Sequence, residues 1–350
     1  MAYTVSIDQY SYTLPPERIA QAPANPRDSA RLFVYQTKTD TVLFDTYTNL
    51  AKYLPTDAAL VFNNTKVVPA RLCVTTQLGK QVETLLMVNE IKPGDTTIKA
   101  LANKSLHIGD QLTVATYSFT VTDQREQQFV FAPQFPITEL ATLLTTHGTT
   151  PIPKYIKHSP LSENTLRERY QSVFAADPAS AAAPTASLHF SQSVMQSLEV
   201  AAIPHTFVTL HVGLGTFAPI TDTNLQTRSL FAEQYAITDT AASTINTWKE
   251  TSKTVIAVGT TATRTLESAA INHRVHSGNK ETNIFIYPPY EFQIVDGLIT
   301  NFHVPKSSLM MLVDAFLQHK QAHRSILDLY AIAIKEQFRF YSFGDGMLII

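Results

Sequence analysis

Thr300–Phe316, TNFHVPKSSLMMLVDAF, is the stretch around which the rest of the chain is organised. An apolar run, Phe292 to Ile299, ends where it begins, and it closes in a helical pattern with Leu309, Leu312, Val313 and Phe316 on one face. Between the two lie Thr300, Asn301, His303, Lys306, Ser307 and Ser308. The segment therefore reads as strand, polar loop, helix N-terminus. Pro305 suits a first helical turn, where its missing N–H would be an orphan anyway. A lysine in that turn, Lys306, opposes the helix dipole by roughly 0.3–1 kcal/mol, a cost that an anion bound there would offset. A solvated lysine beside serine caps fits the local pattern as well.

At 350 residues the chain passes the roughly 250–300 residues at which single cores stop growing, so two domains are expected. A hydrophobic content of 44% with 16% charged residues fits a globular protein. The single cysteine, Cys73, excludes an internal disulfide framework and a cysteine-based zinc site. The 11 histidines show no metal-binding spacing, so no metal is expected. A net charge of −2 lacks the basic surplus of a general nucleic-acid binder, so any such partner must meet a local patch. Neither a secretory signal nor an apolar run of about 18 residues is found, so no membrane span and a cytoplasmic location are expected.

Residues 70–136 read as short strands: Arg71 to Thr75, Val82 to Val88, Ile98 to Leu101, Gln111 to Ala115, Ser118 to Val121 and Gln128 to Phe131. Such spacing predicts a small antiparallel barrel or sandwich, inserted into the mixed α/β sequence on either side. A helix from Ile137 to Thr146 follows, with Gly148 as its stop. Pro151 to Ile156 is an extended loop, and Arg167 and Arg169 form one of the few basic clusters. The alanine-rich piece Asp177 to Phe190 has a linker's composition but closes on His189 between Leu188 and Phe190, which argues for a buried end. Ser193 and Gln196 fit a capping box.

Three strand ends carry the candidate chemistry. Thr206 to Val212 runs into Gly213-Leu214-Gly215-Thr216-Phe217, where G-x-G is either a tight turn or a close backbone approach to a ligand. His211 just before it reads as a core histidine or a catalyst. Lys253 to Val258 ends in Gly259-Thr260-Thr261, followed by a helix, Ala262 to Ala270, carrying Arg264 and Glu267. This is the geometry in which α/β proteins hold ligands at strand C-termini. Asn283 to Tyr287 is a further strand, closed by Pro288-Pro289-Tyr290. Asn63, Asn64 and Thr65 form a turn at the end of Ala58 to Phe62.

The blocks LPPERIAQ (14–21), VFNNTKVVPARL (61–72), AAPTASLHF (182–190), TLHVGLGTF (209–217), AVGTTATRTLESAA (257–270), NIFIYPPYEF (283–292), LITNFHVPKSSLMMLVDAF (298–316) and FRFYSFGDGMLI (338–349) together resemble one family. It is the S-adenosylmethionine:tRNA ribosyltransferase-isomerase family of queuosine biosynthesis, and the resemblance covers nearly the whole chain in order. It implies an α/β fold. A larger, barrel-like α/β domain is built from residues 1–68 and 150–350, with a small antiparallel β-barrel domain inserted at 69–149. It implies transfer and isomerisation of the ribosyl moiety of S-adenosylmethionine onto 7-aminomethyl-7-deazaguanine at a tRNA wobble position, giving epoxyqueuosine. S-adenosylmethionine is then a co-substrate with no prosthetic group and no metal, and the partner is a tRNA anticodon loop.

Carried onto this sequence, the resemblance implies catalytic roles for His189, His211, Glu233 and His303. It implies S-adenosylmethionine contacts from Gly213, Gly215, Thr216, Gly259, Thr260, Thr261, Arg264, Asn301, Lys306 and Ser307. Nucleobase or tRNA contacts fall to Asn63, Thr65, Arg71, Lys154, Arg167, Arg169, Tyr287 and Tyr290. The sequence departs from the family where Arg228 and Phe231 replace histidines, and Asn64, Ser187, Ala218 and Pro289 replace other usual residues. Arginine stays protonated and phenylalanine cannot titrate, so the proton acceptor falls to Glu233, His189 or His211. These departures imply weak turnover with binding of S-adenosylmethionine retained. They leave open a paralogue with another acceptor or a silent binding protein.

Overall fold

Strand Ala58–Asn63 (AALVFN) has all six residues buried, because the sheet it belongs to is covered on both faces. Its alternation divides the core: Ala59 and Val61 face one apolar cluster, and Ala58, Leu60 and Phe62 face the other. The computed structural model describes residues 6–92, 94–125, 128–213 and 220–350. The sequence-predicted sites Gly215 and Thr216 lie outside the described residues.

Nine strands form the main sheet. From one edge to the other they are Gly278–Ile284, Ser229–Ile237, His205–Leu210, Ala58–Asn63, Thr254–Val258, Gly297–Asn301, Gly346–Ile349, Arg31–Gln36 and Thr41–Thr46. The four from His205–Leu210 to Gly297–Asn301 are mutually parallel, so their C-terminal ends meet on one side. Gly346–Ile349 is antiparallel to Gly297–Asn301 and parallel to Arg31–Gln36. Gly346 is there because a Cβ on it would lie 2.0 Å from the buried Tyr47 hydroxyl.

The second unit is the closed barrel of six antiparallel strands: Arg71–Thr76, Gln81–Leu86, Ile98–Ala102, Gln111–Val114, Tyr117–Arg125 and Gln128–Pro133. It has its own apolar interior, including Leu72, Val74, Phe119 and Phe131, lidded by Leu140, Leu143 and Leu144 of helix Leu140–His147. Closure leaves no open sheet edge there, whereas the nine-stranded sheet has two.

Helix Ser308–His319 is capped by Ser307, whose side chain accepts from Met310 N at 3.4 Å. Met310, Met311, Leu312, Val313, Ala315, Phe316 and Leu317 are all buried, so the helix is apolar nearly all round rather than on one stripe. The helix therefore starts later than the sequence reading had it. Pro305 and Lys306 lie in the turn before the cap, and Lys306 adopts a left-handed φ of 54°. Two other local readings change. Ser191, not Ser193, caps helix Gln192–Val200: its Oγ accepts from Val194 N at 3.2 Å, and both serine hydroxyls donate to Asp28. The NIFIY strand ends at Ile284, leaving Phe285 and Ile286 as buried plugs beyond it. Among the described residues no helix is long and apolar enough to cross a membrane.

Candidate functional site

A cleft opens at the C-terminal ends of the parallel strands. Its floor is Gly259, Thr260, Thr261 and Arg264 after Thr254–Val258, and Thr300, Asn301, Phe302 and His303 at the end of Gly297–Asn301. Ala182 to Ala186, Val212, Tyr155, Tyr341 and Ser342 close its sides. A second, shallower depression runs along helix Asp239–Glu250 and has Asp239 as its one ionisable residue. The chemistry gathers in the strand-end cleft.

Gly259 turns the chain with φ 92°, a conformation that L side chains resist, and so starts helix Thr260–Ala269 directly at the strand end. No side chain caps that helix. Arg264, one turn on, is 7% exposed and bonded through Nη1 to Glu233 Oε2. The other oxygen of Glu233 accepts from Gly213 N at 3.0 Å. The pair thus ties this helix to strand Ser229–Ile237 and to the end of the segment after His205–Leu210.

His303 is buried, and its Nε2 lies 2.8 Å from Thr300 Oγ1. Burial depresses this imidazole to about 3, so it is neutral at physiological pH. The Thr300 hydroxyl and Nε2 share that hydrogen bond, which fixes the ring's orientation. His189 stacks on Tyr47 with ring centres 4.5 Å apart, and its Nε2 accepts from Asn301 Nδ2 at 3.2 Å. Burial holds it at about 4. Thr185 Oγ1 donates to Asn301 Oδ1 at 2.8 Å, which fixes the amide. His211 sits between Thr65 Oγ1, 2.8 Å from Nδ1, and Asp177, 3.7 Å from Nε2. Burial lowers its pKa and the Asp177 carboxylate partly restores it.

The cleft therefore brings together Gly259, Thr260, Thr261, Arg264, Asn301 and His303, with His189 behind Asn301 and Gly213 beside Glu233. Most of the other expected residues among those described are occupied elsewhere. Both oxygens of Glu233 are taken by Arg264 and Gly213, so it braces rather than accepts a proton. Lys306 is paired with Asp8 at 2.7 Å on the surface, and Ser307 caps its helix. Asn63 is fully buried, its amide bridging Leu210 and Thr65 backbone groups, which leaves nothing to read a base. Thr65 is equally buried against His211.

Arg71 Nη2 donates to Ile152 O at 2.7 Å and holds the Pro151–Ile156 loop to the barrel. Arg167 spends all three nitrogens on Glu163, Thr145 O and Gly148 O. Arg169 donates to Asn25 and to Ala24 O. Tyr287 packs on Phe285, and Tyr290 packs on Phe292 with its hydroxyl 3.4 Å from Glu267. Neither tyrosine borders the cleft. Lys154 is exposed, and Tyr155 beside it lines the cleft.

Sequence reasoning missed Tyr155, Tyr341 and Ser342, although Tyr155 Oη lies 2.6 Å from Ser342 Oγ and the pair closes one wall. Their segments, PIPKYI and FRFYSFGDG, are far apart in the chain and only the fold joins them. Asp345 was missed too. It is 1% exposed and accepts from Arg31 N, Arg339 N and the Arg339 guanidinium, fixing the turn into Gly346–Ile349.

A family profile described as "Queuosine biosynthesis protein" matches residues 7–349. The chain is 39% identical to a protein of Carboxydothermus hydrogenoformans, over 99% of this chain and 100% of that protein. It is 40% identical to one of Moorella thermoacetica, over 98% and 99%. Both are named "S-adenosylmethionine:tRNA ribosyltransferase-isomerase". Among solved structures it is similar to a crystal structure of S-adenosylmethionine tRNA ribosyltransferase from Thermotoga maritima. That chain is 29% identical, with a TM-score of 0.55, covering 98% of this chain and all of that one.

Proposed function

The chain belongs to the queuosine biosynthesis protein family, and from that premise we propose that its strand-end cleft is where S-adenosylmethionine reacts. The protein is a tRNA-modifying S-adenosylmethionine:tRNA ribosyltransferase-isomerase. It moves the ribosyl moiety of S-adenosylmethionine onto 7-aminomethyl-7-deazaguanine at the wobble position, with isomerisation to epoxyqueuosine and release of adenine and methionine. Relatives at 39–40% identity over almost their full length carry that name, which favours this reading over another acceptor or a silent fold.

The observation that carries the assignment of the site is the gathering of Gly259, Thr261, Asn301 and His303 in one cleft at a sheet's strand ends. The sulfonium acidifies the neighbouring ribose C5′ hydrogens, and a neutral base must take one. We assign that role to His303, the histidine that borders the cleft, on its position at the strand end beside Asn301. His189 and Asn301 shape the floor beneath it. The exposed Lys154 and Lys157, on the loop whose Tyr155 lines the cleft, are suited to meet phosphates of an anticodon loop in the cytoplasm. The barrel within 69–149 is read as an inserted domain. In support, Ala58–Asn63, before it, pairs with His205–Leu210 and Thr254–Val258, after it.

The test is to incubate the protein with S-adenosylmethionine and tRNA bearing the deazaguanine precursor, and to assay adenine and methionine. Release of both, dependent on the tRNA, is expected. Binding of S-adenosylmethionine without release would favour the silent fold.

A further inference from the structure

Two polar atoms at the cleft floor are buried without a hydrogen-bond partner: Thr261 Oγ1 and Arg264 Nε. They stand three residues apart on helix Thr260–Ala269, hence one above the other on the same face. The helix N-terminus beside them is capped by no side chain, so its first N–H groups have no side-chain acceptor either. A buried unsatisfied donor costs the fold the full desolvation of that group, so such atoms call for an occupant. Every group in this set can donate: a hydroxyl, a guanidinium N–H and helix N–H groups. The helix dipole adds a positive potential at the same spot.

Building on the reading of the cleft as the S-adenosylmethionine site, we infer that the substrate's α-carboxylate is received here, with Thr261 Oγ1 and Arg264 Nε as donors. Of that substrate's groups, the carboxylate alone is anionic and accepts without donating. The ammonium and the sulfonium are cations, which the helix N-terminus disfavours. A tRNA phosphate is excluded by enclosure, since Arg264 is 7% exposed. Glu233 is the negative group facing Arg264. It balances the guanidinium and engages Nη1, while the buried, unpartnered Nε is free to donate to the ligand. His303, on the neighbouring strand end, brings no charge. Placing the carboxylate at this end fixes the methionyl arm and so orients the sulfonium.

The test is calorimetric titration with S-adenosylmethionine and with decarboxylated S-adenosylmethionine, which lacks only this group. The unaltered protein should bind the intact ligand about 10- to 100-fold more tightly. Thr261→Val should lose about tenfold for the intact ligand and nothing for the decarboxylated one, a coupling that a merely structural role cannot produce. Because the hydroxyl has no hydrogen-bond partner within the chain, this variant should fold as stably as the parent. Thr261→Ser should restore the discrimination. Equal affinity of the unaltered protein for both ligands would overturn the inference and leave the S-adenosylmethionine reading standing. So would a Thr261→Val variant that weakens both ligands equally. Binding of neither ligand by folded protein would overturn that reading, and this inference with it.

Discussion

Arg264 and Arg167 look alike in the sequence: each lies on a helix, within four residues of a glutamate. In the structure they differ. Arg264 borders the cleft with its Nε unpartnered, while every nitrogen of Arg167 is bonded within the chain. Two of the acceptors of Arg167 are Thr145 O in the last turn of helix Leu140–His147 and Gly148 O just after it. It therefore caps a helix C-terminus, where a cation and orphan carbonyls suit each other. The lesson is that a guanidinium is available to a ligand only where the fold leaves it a donor, and charge clustering in the sequence does not show where that is.

The largest effect should come from the cleft. His303→Asn is expected to lower turnover by about 10²–10⁴-fold while S-adenosylmethionine affinity changes little. The parent's kcat/KM should show no histidine limb near pH 6.5, because His303 is neutral above about 3. A limb near 6.5 that vanishes in the variant would put the titrating base in a more solvated place.

Arg167→Ala, by contrast, should cost about 1–3 kcal/mol of stability by unpairing carbonyls and Glu163, read as a lower midpoint in urea. It should leave the salt dependence of tRNA binding unchanged. The double variant Lys154→Ala, Lys157→Ala should do the reverse. Stability is kept, and the log–log salt slope flattens by about 1.4–1.8, from two phosphates at roughly 0.7–0.9 each. An unchanged slope would move the phosphate contacts off this loop.

A smaller effect concerns pH and stability. His189 and His303 are held at about 4 and about 3 when folded, below the ordinary 6.5. The unfolded chain then binds more protons between pH 6.5 and that range, so stability is full above 6.5 and falls as pH drops through the window. His303→Asn should shallow that fall. Smallest of all, Arg228→His with Phe231→His should change turnover by less than about threefold. Both side chains are exposed, and neither borders the cleft.

The barrel was legible because its six strands all lie within one segment, 71–133, so its closure draws on no strand from elsewhere in the chain. The strand ends Gly259-Thr260-Thr261 and Thr300-Asn301 were legible because an apolar run breaking into small polar residues has few other meanings in an α/β sheet. The wall of Tyr155 and Ser342 was not, since their contact spans 187 positions. Nor were the fates of Asn63 and Lys306, whose polar groups find backbone or carboxylate partners that only the folded chain supplies. Strand Ser229–Ile237 escaped notice because only three of its nine residues are buried.

The most direct measurement is the mass of the wobble nucleoside after reaction of precursor-bearing tRNA and S-adenosylmethionine with three proteins. The unaltered chain should yield epoxyqueuosine. The His303→Asn variant should yield none while still binding S-adenosylmethionine, and the Lys154→Ala, Lys157→Ala variant should recover the parent's yield at low salt. Product from His303→Asn at the parent's rate, or none from the unaltered chain, would contradict the account.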